Sequence, residues 1–74
     1  MIPYKDTDND SNINAYEYGD GYIIVQFNHG SQYEYTTQSA GIHHIEEMKR
    51  LADMGDGLNA YINKYVKKNY SRIT

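Results

Sequence analysis

Two glycine-bearing turns divide the first half of this chain into short segments with the character of β-strands. The turns fall at residues 19–21 (Gly-Asp-Gly) and 28–30 (Asn-His-Gly). Glycine, aspartate and asparagine tolerate the positive φ angles that tight hairpin turns require. In the middle segment Ile23, Val25 and Phe27 share one face, because strand side chains alternate with a period of two. We therefore predict strands near residues 13–18, 22–27 and 32–36 that form an antiparallel β-meander.

Two helices are predicted after the third strand. The first spans about residues 39–54, where apolar side chains keep helical spacing, and Gly55 is suited to end it. Asp56 is placed to cap the second helix, since its carboxylate can accept amide protons of the first turn. The second helix has a continuous apolar stripe, which consists of Leu58, Tyr61, Ile62, Tyr65 and Val66.

The expected fold class is therefore α+β, with the element order βββαα. A three-stranded sheet buries its apolar face most simply under the two helices, which gives a two-layer domain. We place this domain at residues 11–74, and we expect residues 1–10 to be a loose, polar lead-in. A chain of 74 residues without cysteine has room for one domain and has no disulfide. Aliphatic side chains and tyrosine must supply its core.

Charge is distributed unevenly along the chain, although the formal net charge is only -3. Residues 1–48 carry eight acidic side chains and one basic one, whereas residues 49–74 carry six basic and two acidic side chains. A nucleic-acid partner would have to meet the C-terminal third. No segment has the pattern of a secretory signal, and the longest apolar run, residues 22–25, is far too short to cross a bilayer. We expect a cytoplasmic protein with no membrane partner.

The order of several short motifs resembles that of the KTSC domain. The matching residues run through most of the chain and comprise Ser11-Asn12-Ile13, Val25-x-Phe27, Gly30-Ser31-x-Tyr33-x-Tyr35, Gly55-x-Gly57-Leu58-Asn59 and Ile62. The family is named after a module at the C-terminus of some lysyl-tRNA synthetases, and it also occurs as small free-standing proteins of bacteria and phages. The resemblance implies a binding module, with RNA suggested by the link to a tRNA synthetase.

The tripeptide Tyr33-Glu34-Tyr35 is the best-known signature of that family, and it allows two interpretations. Tyr-x-Tyr places both phenols on one face of a strand. The pair either packs against the helices or is exposed as a platform for unpaired bases, with stacking worth about 1–3 kcal/mol per base. Packing is the commoner role of paired aromatic residues on sheets. The same tripeptide occurs at residues 16–18.

The C-terminal third supplies the cations that a phosphate backbone would need. These are Lys64, Lys67, Lys68 and Arg72, and Tyr61, Tyr65 and Tyr70 are interleaved with them. Together with Tyr33 and Tyr35 the cations form the predicted nucleic-acid or partner site. Our leading hypothesis is weak, salt-dependent binding of RNA. The structural alternative is a solvated helix face with its cations near the negative C-terminal end of the helix.

A functional alternative is a protein-interaction or regulatory module. Its acidic first half would meet a basic partner protein. An exposed edge on the first or third strand would also allow pairing with another chain.

An acidic segment near the N-terminus matches the register of an EF-hand calcium loop. Asp6, Asp8 and Asp10 occupy loop positions one, three and five, and Glu17 occupies position twelve. Ser11 stands where glycine normally makes the sharp turn, and only five residues precede Asp6, too few for the entering helix. Calcium binding is therefore a minor hypothesis, and a solvated acidic segment is the alternative.

The sequence gives no indication of catalysis or of a cofactor. It has no glycine-rich phosphate loop, no nucleophile elbow and no plausible Ser/His/Asp grouping. His43 and Glu47 share a helix face, but zinc needs three or more ligands, and His29 lies in a distant turn. We expect a non-enzymatic protein.

Overall fold

A five-stranded antiparallel sheet forms one layer of the protein. The computed structural model describes residues 1–7 and 12–74. Its strands are β1 (Ile2–Pro3), β2 (Ile13–Gly19), β3 (Tyr22–Phe27), β4 (Gln32–Thr36) and β5 (Arg72–Ile73). They lie side by side in chain order, and every neighbouring pair is antiparallel. The predicted meander is therefore confirmed for β2 to β4, and the bounds of β3 and β4 match the prediction.

The predicted order βββαα fails at both ends of the chain. β1 precedes the meander, so four strands come before the helices, and β5 follows them. Within the segment assigned to a polar lead-in, Tyr4 is a core residue with only 7% of its surface exposed, and its Oη accepts a hydrogen bond from the Leu58 N–H at 3.3 Å. Strands of two residues have too little alternation for a periodicity argument to detect them.

The two short outer strands also change which strand edges are accessible. β1 pairs with residues 15–16 of β2, and β5 pairs with residues 33–34 of β4. The first and third predicted strands are therefore interior strands along these stretches. We expected an exposed edge on the first or the third predicted strand. At these residues that expectation is wrong, because the backbone groups already bond to a neighbouring strand.

The helical layer contains three α-helices, and the last of them continues as a π-helix. The elements are α1 (Thr37–Ala40), α2 (Ile42–Met54), α3 (Leu58–Tyr61) and a π-helical segment (Ile62–Val66) that continues α3. Within the described residues, no helix is both long and apolar enough to cross a bilayer. The helix predicted from about residue 39 is interrupted at Gly41, whose φ of 94° lies outside helical geometry.

Of the two residues predicted to end or begin a helix, one is confirmed and the other is wrong. Gly55 ends α2 in the left-handed conformation with a φ of 73°, as expected of a C-terminal glycine, and its N–H donates to the carbonyls of Leu51 and Ala52. The predicted cap at Asp56 is wrong. Gly57 is the N-cap of α3, with a φ of 81°, and no side chain caps that helix.

The core lies between one face of the sheet and the helices. From the sheet, Ile23, Val25 and Tyr35 are at most 1% exposed, as the alternation predicts for Ile23 and Val25. The helices contribute Ile45, Met48, Ala52, Leu58, Ile62 and Val66. Each large aliphatic side chain in this layer contributes about 1.5–3 kcal/mol on burial. The face with Ile24 and Glu34 points away from the helices.

The first Tyr-Glu-Tyr tripeptide fastens the sheet to α2. The Oη atoms of Tyr16 and Tyr18 donate to the two carboxylate oxygens of Asp53, at 2.8 and 2.7 Å. Their rings are stacked with centroids 6.2 Å apart, and the Lys49 Nζ lies 5.3 Å from the centroid of the Tyr18 ring. Because the two tyrosines are two residues apart on β2, both phenols reach the same side chain of the helix.

This tyrosine–carboxylate contact predicts a loss of stability at high pH. Burial, together with the hydrogen bond to Asp53, raises the pKa of Tyr16 to about 12, against an ordinary value of about 10. Between these values the folded protein holds a proton that the unfolded chain releases, so the free energy of unfolding falls as pH rises from 10 to 12. Urea unfolding across this pH range measures the fall. Tyr16→Phe should flatten it, and identical pH profiles for both proteins would contradict this account.

Candidate functional site

A cleft opens between the β3–β4 end of the sheet and the π-helical segment. Its volume is about 350 Å³. Among its lining side chains, Tyr35 and Ile62 are core residues, 1% and 3% exposed. A volume of this size falls at the lower end of the range for small-molecule sites, about 300–1,000 Å³. The cleft therefore has room for a small, flat group.

Aromatic rings line the sheet side of this aromatic cleft in a continuous chain. His29 stacks on Phe27 with ring centroids 5.8 Å apart and an interplanar angle of 11°. Phe27 meets Tyr33 edge to face at 5.2 Å, and Tyr33 meets Tyr70 edge to face at 5.1 Å. All four side chains line the cleft. Edge-to-face contacts of this kind add about 0.5–1.5 kcal/mol beyond the area they bury, so the rings support each other's positions.

Amides and lysines also line the cleft, all except Asn12 from the last helix and the turn after it. The polar lining residues are Asn12, Asn59, Asn63, Lys67 and Lys68. Each amide offers hydrogen-bond donors and an acceptor, and each ammonium offers three donors. Of the described residues that line the cleft, none is acidic. In a chain with a formal net charge of -3, the cleft is therefore a locally basic surface.

Two adjacent lysines reach the cleft from the end of the π-helical segment and the turn after it. In an uninterrupted α-helix, a residue five positions on lies about 140° around the axis, so Asn63 and Lys68 would face different directions. A π turn closes its hydrogen bonds between residues i and i+5 and absorbs one extra residue. The π-helical segment ends at Val66, Lys67 caps it and Lys68 lies in the turn that follows, and Asn63, Lys67 and Lys68 all line the cleft. Such turns occur often at functional sites.

The C-terminal segment holds Tyr70 against the cleft. The Asn69 N–H donates to the Val66 carbonyl at 2.9 Å, which closes the end of the helix. One residue after Tyr70, the Ser71 N–H donates to the Glu34 carbonyl at 2.6 Å. Gln32 and Thr74 then exchange backbone hydrogen bonds at 2.8 and 3.0 Å. Tyr70, 37% exposed, is therefore fixed on both sides while its ring stays accessible.

The structure brings four of the six predicted binding residues together. Tyr33, Tyr35, Lys67 and Lys68 all line the aromatic cleft. The expectation of an exposed Tyr33–Tyr35 pair is wrong for Tyr35, which is 1% exposed, and Tyr33 is half-buried. Both face the helices, since they pair with Val25 and Ile23 of the buried sheet face.

The other two predicted cations lie outside the cleft. The Lys64 Nζ is 5.2 Å from the centroid of the Tyr65 ring, on another part of the helix surface. The Arg72 Nε donates to the Glu34 carboxylate at 2.8 Å, on the sheet face that points away from the helices. These two residues therefore serve as internal controls for any effect attributed to Lys67 and Lys68.

Tyr35 remains a neutral phenol over the whole physiological pH range. Burial raises its pKa, and the neighbouring hydroxyls of Tyr33 and Tyr70 raise it further. A phenol without negative charge at the base of the cleft does not repel an anion. The lysine ammonium groups therefore set the charge of the site.

The predicted calcium ligands lie only partly within the described residues. Asp8 and Asp10 fall outside them. Glu17 belongs to β2, opposite Ile24, and its carboxylate lies 4.0 Å from the N-terminal ammonium of Met1. Over residues 1–7 and 12–74, no three His, Asp or Glu side chains converge as a metal site would require. Calcium binding stays an untested prediction.

Seven residues of the cleft are not among the predicted site residues. They are Asn12, Phe27, His29, Asn59, Ile62, Asn63 and Tyr70. Only the pairing of β5 with β4 brings Tyr70 next to Tyr33. The signal that was present is the interleaving of tyrosines with lysines after residue 60, which is typical of surfaces that contact nucleic acid.

A second ring cluster, also not predicted, lies between α2 and the last helix. The His44 Nδ1 is 2.6 Å from the Tyr61 Oη, and its ring stacks on Tyr65 with centroids 5.6 Å apart. Glu47, which shares a helix face with His43, forms an ion pair with Arg50. This cluster packs two helices together and is separate from the aromatic cleft.

Comparison of the chain with protein-family models, with curated proteins and with solved structures found no match. The resemblance to the KTSC domain therefore stays a prediction. The function has to be argued from the chemistry of the cleft itself.

Proposed function

We propose that this protein is a binding module for single-stranded nucleic acid, with RNA as its target, and that the aromatic cleft is the binding site. The observation that carries the proposal is the meeting of three kinds of group in one cleft. Rings, amides and two lysines face the same space of about 350 Å³. Rings bind the face of a base, amides bind its edge and lysines bind its phosphates.

The exposure of the rings supports binding of unpaired bases. Tyr70 is 37% exposed, and His29 is also exposed at the cleft. Base–aromatic stacking contributes about 1–3 kcal/mol per base, and it requires a base that has left its helix. A duplex keeps its bases stacked on each other, so it presents only its backbone to this cleft.

The charge of the cleft supports weak, salt-dependent affinity. Among the described residues no ion pair engages Lys67 or Lys68, whereas Lys49, Arg50 and Arg72 each pair with a glutamate. Lysines without an acidic partner are ready to displace the counterions of a phosphate chain. Two cations make a modest electrostatic contribution to the affinity. The resemblance to the KTSC domain supports the same class of partner.

The test is a titration of a fluorescein-labelled, unstructured RNA decamer, followed by fluorescence anisotropy at 50 and 200 mM salt. We expect binding that weakens as salt rises and that is at least tenfold weaker for the corresponding blunt RNA duplex. Binding independent of salt, or equal binding to the duplex, would contradict the proposal. A protein captured from lysate after nuclease treatment, together with no RNA binding, would instead favour a protein-interaction module.

A further inference from the structure

The aromatic cleft is small and carries few charges, which limits how much of a nucleic-acid strand it can hold. Its volume of about 350 Å³ is enclosed by rings on one side and by amides and lysines on the other. Of the six basic side chains in residues 49–74, only Lys67 and Lys68 line it. We propose, on the basis of the proposed function, that the binding unit is one unpaired nucleotide within a strand, flanked by its two phosphates.

The ring geometry supports a single base. His29 and Phe27 already stack on each other at 5.8 Å, so one face of each is covered by the other. Tyr33 meets both Phe27 and Tyr70 at nearly right angles, and it is half-buried. The rings therefore form one connected wall and do not present a row of separate platforms. A row of separate, parallel rings is what a site for several stacked bases would need.

The amides support recognition of a base edge inside the cleft. Asn59 and Asn63 are one helical turn apart, so both side chains lie on the same side of the helix and face the ring wall. Asn12 faces the same space from the segment before β2. A base that enters with one face against the rings places its edge toward these amides. Amides offer both donors and acceptors, so this arrangement accepts more than one base type.

The two lysines support a phosphate on each side of that nucleotide. Lys67 and Lys68 are consecutive residues that both line the cleft, one at the C-cap of the π-helical segment and one in the turn after it. The next basic residues on either side along the chain, Lys64 and Arg72, contact Tyr65 and Glu34 respectively. The cationic surface therefore ends after two side chains, and more phosphates gain no further direct contact.

This limit makes the salt dependence a quantitative test. For single strands the slope of log K against log salt is about −0.7 per phosphate contacted, so two contacts give a slope of about −1.4. Affinity should then fall about sevenfold between 50 and 200 mM salt. Lys68→Gln should reduce the slope to about −0.7, whereas Lys64→Gln should leave it unchanged.

The experiment is a length series measured with the full chain by isothermal titration calorimetry. The probes are uridine monophosphate, oligouridylates of three, six and ten nucleotides, and the corresponding oligodeoxyuridylates. We expect the affinity per internal nucleotide to be constant from the trimer to the decamer, with the monophosphate several-fold weaker because it has one phosphate. The deoxy series shows whether the 2′-hydroxyl contributes, since the proposed contacts to base and phosphates are common to both.

The outcomes separate this inference from the function on which it rests. A slope steeper than about −3, or an affinity per nucleotide that grows with length, would overturn the single-nucleotide unit while leaving single-strand binding in place. Equal affinity for the monophosphate and the trimer would overturn the role of the second phosphate. No binding of any oligonucleotide would overturn both the inference and the proposed function.

Discussion

Charge reversal of the two cleft lysines abolishes binding of unpaired RNA in our account, and this is the largest functional effect we expect. The contact between an ammonium group and a phosphate is charge-assisted and is worth about 1.5–3 kcal/mol. Loss of one such contact reduces affinity about tenfold or more. In the double variant Lys67→Glu/Lys68→Glu, two contacts are lost and two repulsive charges take their place.

Single variants provide the matched control. Lys64→Glu, Lys67→Glu and Lys68→Glu each change the net charge of the chain from -3 to -5, and the three positions lie within five residues at the end of the last helix. Only the last two place a negative charge in the aromatic cleft. In anisotropy titrations at 50 mM salt, Lys64→Glu should bind like the wild type. Equal losses in all three variants would show that net charge, and not the cleft, governs binding.

Replacement of Tyr35 by alanine is the second large effect we expect, in this case on stability. Tyr35 is 1% exposed and is among the largest fully buried side chains of the described residues. Replacement of a buried aromatic residue by alanine costs about 3–5 kcal/mol, because the vacated space is only partly filled. A domain of this length has a total stability of about 4–11 kcal/mol. The loss is therefore a large fraction of the total stability, and the variant should unfold at a much lower urea concentration than the wild type.

Two control substitutions isolate the cause of that loss. Tyr35→Phe keeps the buried ring and should be close to the wild type in urea unfolding. Tyr22→Ala removes the same number of atoms from the sheet face that points away from the helices, and should cost much less than Tyr35→Ala. A Tyr35→Ala protein within about 1 kcal/mol of the wild type would mean that Tyr35 is not part of the core.

The central part of the sheet could be predicted because its signals are local. The turns at residues 19–21 and 28–30 fix the ends of β3, and alternation assigns Ile23 and Val25 to the buried face. The apolar stripe of the last helix likewise follows from its spacing. Each of these inferences uses residues within one turn or one strand of each other.

The outer strands and the tyrosine–carboxylate contact could not be predicted because they depend on distant residues. β1 and β5 exist only because β2 and β4 offer unpaired backbone groups, and two residues carry no pattern of their own. Asp53 binds Tyr16 and Tyr18 across 37 and 35 positions of sequence. The repeated tripeptide was visible in the sequence, but its two copies have different roles: one fastens β2 to α2, and the other lines the core and the cleft.

The sequence predicted the kind of chemistry at the candidate site, but not which residues form it. Interleaved tyrosines and lysines indicated a nucleic-acid surface, and Lys67 and Lys68 do face Tyr33 across one cleft. Lys64 belongs to the same charge run, yet it faces Tyr65. Lys67 and Lys68 lie at and just after the end of the π-helical segment, and the helical spacing in the sequence did not predict where that helix ends.

Amide NMR during titration with triuridylate tests the central claim most directly, because it locates the binding site on the folded protein. The account predicts that the largest shift changes cluster at Tyr33, Asn59, Asn63, Lys67 and Lys68, while Ile24 and Gln26 on the opposite sheet face stay unmoved. Shift changes concentrated on that opposite face, or no changes at millimolar ligand, would contradict the assignment of the aromatic cleft as a nucleic-acid site.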